Sequence, residues 1–153
     1  MIRGLRIVVV VLLCAAAAAE GPVPFSYWAV HASDEGREEK SYGPGLEGVR
    51  KTLDDLPYDT FRKISNGREA IVPGKRERVR LNANYTLCIQ PVSREADGRY
   101  RVEIQVEMDP DDPDKPPVKA LDTRMLMRPG EQVRMGGMRL EGEGDLVIIL
   151  AAG

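Results

Sequence analysis

Histidine and cysteine are the scarcest reactive residues in this 153-residue chain: His31 is the one histidine, and Cys14 and Cys88 are the two cysteines. Zinc needs a set of imidazole, thiolate or carboxylate ligands, and one histidine with one or two cysteines cannot supply it without several carboxylates. Nucleophilic catalysis of the Ser/His/Asp or Cys/His kind would have to run through His31. In "HASDEG" Ser33 lies two residues on, on the same strand face, with Asp34 beside it. Triads are assembled from separate segments, and neighbours along one strand seldom converge as nucleophile, base and orienter. His31 therefore reads as a structural side chain near a strand end, the chain as a non-enzyme, and no cofactor is indicated.

Basic charge is also not in excess. The chain carries 22 Lys and Arg against 24 Asp and Glu, which gives none of the basic surplus that nucleic acid selects. Long apolar runs are missing except at the start, where "MIRGLRIVVVVLLCAAAAAEG" places Arg3 and Arg6 before an apolar stretch from Ile7 to Ala19. Crossing a bilayer takes about 20 apolar residues. This run is shorter and ends in alanines ahead of Glu20, the layout of a secretory signal peptide with cleavage after Ala19. An acylated Cys14 would instead tether the chain to a membrane, but Leu13 stands where a small residue would be needed. The expectation is an exported protein, periplasmic or extracellular, with residues 1–19 as leader and residues 20–153 as a single domain without an integral membrane span. Loss of Cys14 leaves Cys88 alone, so no internal disulfide can form and the domain must rest on its core. Cys88 lies in the apolar run "YTLCIQPV" and reads as a small buried hydrophobe.

What the chain does have is strand pattern. "PFSYWAVHAS" alternates Trp28, Val30 and Ala32 with Tyr27, Ala29 and His31; "SDEGREEKSYGPG" is an aperiodic loop. "LEGVRKTLDDLP" sets Leu46, Val49, Leu53 and Leu56 at helical spacing before Pro57, predicting one short helix near residues 46–56. About 11 residues cannot hold a helix alone in water, so this leucine stripe must pack on a sheet. "YDTFRKIS" reads as a strand, and Asn66-Gly67 as a tight turn into "REAIV". Further strands are expected at "RERVRL" and "NYTLCIQPV", then a hairpin at Asp97-Gly98. The strand that follows puts Tyr100, Val102, Ile104, Val106 and Met108 on one face and Arg101, Glu103, Gln105 and Glu107 on the other, the pattern of an antiparallel sheet with one wet side. "VKALDTRMLM", "QVRMGGMRL" and the final "LVIIL" complete the set. Together they predict a mainly β fold, an antiparallel sandwich or curved sheet carrying one packed helix.

The glycine-rich end, "RPGEQVRMGGMRLEGEGDLVIIL", is not a phosphate cradle. Such a cradle needs a helix N-terminus after its glycines, and here a strand follows. Gly130, Gly136-Gly137 and Gly142/Gly144 fit turns or a bulge instead. The continuous apolar "LVIIL" is expected at the centre of the fold, covered on both faces. The order "LDTRMLMRPGEQVRMGGMRLEGEGDLVIILAA", Leu121 to Ala152, resembles the late strands of bacterial outer-membrane secretin domains: a strand, a turn, a strand ending in Gly-Gly and a final apolar strand. It is also similar to small uncharacterised exported bacterial proteins with a signal peptide, one short helix and this ending. A secretin is much longer and has membrane-spanning strands of its own. What the resemblance implies is an envelope-associated β module, and it carries over no catalytic residue.

Two charged segments are candidate sites. "GKRERVR" concentrates Lys75, Arg76, Arg78 and Arg80, and on a strand Arg76, Arg78 and Arg80 share one face. That face suits an anionic partner or lipid headgroups, or serves as a charge-protected edge strand. "EMDPDDPDKPP" offers Asp109, Asp111, Asp112 and Asp114 as oxygen ligands for calcium. Counted from Asp109 it fails the EF-hand template, with Pro113 at the fifth position and Ala120 at the twelfth. The favoured function is a binding or assembly module with an envelope protein partner, engaged through the arginine face or an exposed strand edge; the alternative is a ligand- or calcium-binding protein using the loop 109–114.

Overall fold

The computed structural model describes residues 21–153; the leader, its cleavage after Ala19 and Cys14 lie outside the described residues. Alternating patterns and, at the end, a continuous apolar run form β1 (Val23–Ser33), β2 (Ser41–Tyr42), β3 (Thr60–Ile71), β4 (Glu77–Arg80), β5 (Tyr85–Arg94), β6 (Tyr100–Met108), β7 (Val118–Met127), β8 (Gln132–Arg139) and β9 (Asp145–Ala152). They make two sheets, one in the order β2-β3-β1-β9-β8 and one in the order β4-β5-β6-β7. All pairs are antiparallel except the short β2 with β3. The fold is the mainly β, two-sheet arrangement that the sequence predicts.

The main core lies between the sheets. Phe25, Tyr27 and Ala29 of β1 and Leu146, Ile148 and Leu150 of β9 meet Leu87 and Ile89 of β5 and Val102, Ile104 and Val106 of β6. A second core lies on the other face of the five-stranded sheet. There Leu46, Val49 and Leu53 cover Val30, Ala32, Phe61, Val147 and Ile149. The final apolar run is thus buried on both faces, as its unbroken hydrophobicity requires. The helix is shorter than its stripe suggests: a 3-10 turn, Glu47–Val49, leads into α1 (Arg50–Leu53), and Leu56 already lies beyond it. Its stability comes from the sheet beneath, since so short a helix has almost none of its own.

Asn66-Gly67 is a correction. No hairpin forms there, and β3 runs through it from Thr60 to Ile71, with Gly67 opposite Tyr27 of β1. A Cβ on Gly67 would stand 2.7 Å from the Tyr27 hydroxyl oxygen and 2.9 Å from ring carbons. The glycine is there because an aromatic ring lies across its backbone, a role that mimics a turn signal in sequence. The other glycines behave as read. Asp97-Gly98 closes the hairpin between β5 and β6 with Gly98 at φ +87°, and Gly136-Gly137 forms a bulge inside β8 opposite β9.

Candidate functional site

Sheet order decides what the charged segments can do. β4 is an edge strand whose neighbours are β5 and then β6, so Arg76, Arg78 and Arg80 look across β5 toward the outward side chains of β6. The β5 residues opposite Arg78 and Arg80 are Cys88 and Thr86. Both are small, and the arginines reach over them. Arg78 meets Glu107 at 2.7 Å, Arg76 meets Glu107 at 3.4 Å and Arg80 meets Asp109 at 2.7 Å; Arg76 also donates to Gln105. The Glu107 side chain is only 13% exposed beneath its two guanidiniums. Contact with Glu107 in turn holds Arg78 still more firmly protonated. The predicted arginine face is therefore a ladder of internal ion pairs. Lys75 stands apart, exposed in the turn before β4. Cys88 is buried and free beneath Arg78, whose Nη1 lies 3.8 Å from its Sγ.

The acidic segment is divided by the same geometry. Asp109 belongs to the ladder through Arg80. Asp112 accepts the N–H of Asp114 at 3.0 Å and shapes an exposed turn that includes Asp111. Among the described residues no three His, Cys, Asp or Glu side chains gather as a metal-ligand group.

His31 shares the inter-sheet face of β1 with Tyr27 and Ala29. Its Nε2 lies 2.6 Å from the main-chain carbonyl of Glu143, in the turn between β8 and β9. Gly144 of that turn has φ +112°, and a Cβ there would stand 2.5 Å from Nε2. The imidazole thus seats a hairpin turn, and among the described residues neither Ser33 nor Asp34 is joined to it. Ser33, Tyr58, Arg139, Leu140 and Asp145 line an open cleft of about 400 Å³ beside the turn, where the Tyr58 hydroxyl donates to Asp145. The buried Ser33 hydroxyl has no partner among the described residues.

Sequence reasoning missed Asp59. Its carboxylate accepts the N–H groups of Glu35 at 2.9 Å and Arg37 at 2.7 Å and the Thr60 hydroxyl at 2.7 Å. The Glu35 N–H, then the Thr60 hydroxyl, hold it well below the usual carboxylate range. It pins the loop between β1 and β2. Nothing in "PYDTF" marks it, because its two N–H partners are main-chain groups more than twenty residues away.

No protein-family model, curated protein or solved structure matches this chain.

The sheet edges differ in how they are closed to further pairing. β2 has two residues and β4 four, too short to template a partner. The free length of β3 carries Arg62, Lys63 and Arg68 and a bulge at Ile64. β8 carries the Gly136-Gly137 bulge. Its Gln132 donates to the Gly48 carbonyl at 2.8 Å and its Arg134 to that of Thr52 at 2.7 Å, which ties it to the helical turn. Charges, bulges, shortness and covers are the usual protections of an edge. β7 has the fewest. It is ten residues long and, among the described residues, pairs with β6 alone; a bulge at Ala120 leaves Leu121–Met127 regular. Leu126 is 39% and Val118 52% exposed on it.

Proposed function

We propose that this chain is an exported, non-enzymatic β-sandwich module of the bacterial envelope, which engages a protein partner by adding a strand to the β7 edge. The observation that carries this reading is the contrast among edges: among the described residues, β7 is the edge strand that joins a regular row of main-chain donors and acceptors to exposed large apolar side chains, Val118 and Leu126. Strand addition draws affinity from such main-chain groups and specificity from the alternate side chains. The paired arginines in and just before β4 speak against a free cationic patch as the contact. Export and envelope location rest on the leader pattern of residues 1–19 and on the secretin-like ending. Among the described residues no helix is long and apolar enough to cross a membrane.

The test is site-specific photo-crosslinking in the native host. A benzophenone side chain at Leu126 should give discrete protein adducts in the envelope fraction. The same group at Val92, exposed on β5 away from this edge, should give none. Absence of adducts from Leu126, or equal adducts from both sites, would sink the β7 reading. A chain retained uncleaved in the cytoplasm would sink the export reading.

A further inference from the structure

Resting on the strand-addition reading, we propose that the strand added to β7 is β7 of a second copy of this chain, running antiparallel about a two-fold axis through Thr123. The argument is one of register. Pairing with β6 fixes the faces of β7: Thr123 opposes Ile104 and Met125 opposes Val102 on the core side, while Asp122 opposes Gln105 and Arg124 opposes Glu103 on the outer side. In an antiparallel pair, residues directly opposite share a face, and a slip by one would turn the apolar set outward. The two-fold axis must therefore pass through a residue rather than between two.

Three central axes remain. Through Asp122 the axis would set Asp122 against its own copy, and through Arg124 it would set Arg124 against its own. Like charges directly opposite destabilise a sheet pair. Through Thr123 the same charges become complementary: Asp122 faces Arg124 of the second copy and Arg124 faces its Asp122. On the core side Leu121 meets Met125 and Thr123 meets Thr123. Leu121 and Met125 are half-buried at the rim of the inter-sheet core, and this pairing extends that core across the axis. The exposed Leu126 falls opposite the small Ala120. Axes through Leu121 or Met125 give neither charge a matching partner within the regular strand.

The charges lie in solvent, where their present pairs can be shared or exchanged: Arg124 is 79% exposed and 3.0 Å from Glu103, and Asp122 is 51% exposed and 3.4 Å from Lys119. The product is one continuous sheet of eight strands, four from each copy, closed by the symmetry so that both β7 edges are used. Isologous pairing of this kind is the commonest route to a dimer. The contact is narrow for a stable interface, so the dimer is a concentration-dependent one.

Charge exchange tests this directly. The protein is expressed from the full chain, purified as it accumulates in the cell, and followed by light scattering and sedimentation from micromolar to near-millimolar concentration. Wild type should pass from monomer to dimer. Asp122→Arg and Arg124→Asp each place like charges opposite one another twice, and should each raise the dissociation constant at least about tenfold. Mixed together, the two variants should associate, because the arginine introduced at position 122 of one then faces the aspartate introduced at position 124 of the other. The double variant D122R/R124D should dimerise alone, and far-UV circular dichroism should show all three folded. A wild type that stays monomeric overturns self-pairing, as does a dimer indifferent to these exchanges or variants that do not complement on mixing. Adducts of Leu126 with a different protein would then leave strand addition standing; the loss of all adducts would remove both.

Discussion

Replacing Gly67 with alanine should destabilise the sandwich by an amount set by Tyr27. On general grounds the change would help, since alanine restricts the unfolded chain more than glycine does and gains about 0.5–1 kcal/mol where the native backbone accepts it. Gly67 has no positive φ to forbid it. The obstacle is steric: the new methyl would lie 2.7 Å from the Tyr27 hydroxyl oxygen and 2.9 Å from two ring carbons. The ring would have to move by about half an ångström or more to restore van der Waals contact. Tyr27 is 8% exposed and packed into the main core, so that movement displaces its neighbours, an overpacking cost of about 1–3 kcal/mol. The net loss is about 1–2 kcal/mol, a fall in melting temperature of roughly 3–10 °C for a domain of this size.

Thermal and urea unfolding by circular dichroism would measure this, with Tyr27→Leu as the second arm of a double-mutant cycle. In the Tyr27→Leu background the same Gly67→Ala change should become neutral or stabilising, with a coupling of about 1.5–3 kcal/mol. An equal loss in both backgrounds would refute the reasoning, since it would place the demand for glycine in the backbone, as a turn at Asn66-Gly67 would. No loss in wild type would refute it too.

Gly144→Ala faces a harder obstacle, because its Cβ would lie 2.7 Å from the main-chain oxygen of Ala32 as well as 2.5 Å from His31 Nε2, at φ +112°; a loss above about 2 kcal/mol in chemical unfolding is expected. Asp59 binds fewer protons in the folded chain than in the unfolded one, because its folded pKa is depressed. Its stabilisation is complete above the unfolded value of about 4 and is lost as pH falls further. Asp59→Asn should therefore lower the melting temperature at neutral pH and flatten its decline in acid, both visible in a melting series across pH. Glu107→Gln should release Arg76 and Arg78 from their shared carboxylate. Retention on a sulfonate exchanger at neutral pH should then exceed that of Glu141→Gln, which makes the same change in net charge on an exposed loop.

Much of the fold was legible because single faces were. Val102, Ile104 and Val106 are buried while Glu103, Gln105 and Glu107 face out, as strict alternation demands. The unbroken "LVIIL" required two covers, and the helix stripe required a sheet; the same strand, β9, satisfies both needs. Asn66-Gly67 misled because a glycine under an aromatic ring and a glycine in a tight turn look alike until the cross-strand partner is known. The arginine face misled in a similar way. Arg76, Arg78 and Arg80 were correctly placed together, and so were Glu103, Gln105 and Glu107, but only strand order brings the two rows within reach across the small side chains of β5. Asp59 left no mark, since the loop it holds meets it through main-chain N–H groups.

The two sheets differ in what they leave open, and the difference limits where function can reside. The five-stranded sheet has a core on each face, and its edges are short, charged, bulged or tied to the helical turn. Its His31 and Asp59 are occupied in holding a turn and a loop. Among the described residues the four-stranded sheet is covered on one face only, and on its outer face the charges of β4 and β6 largely cancel one another. What remains is β7, where the outward charges are of opposite sign two residues apart and the inward residues stop half-buried. The protections of β7, Lys119 and the bulge at Ala120, lie toward its first end. From Leu121 to Leu126 it keeps a regular, self-complementary stretch, which is the pattern a strand needs if its edge is to be occupied.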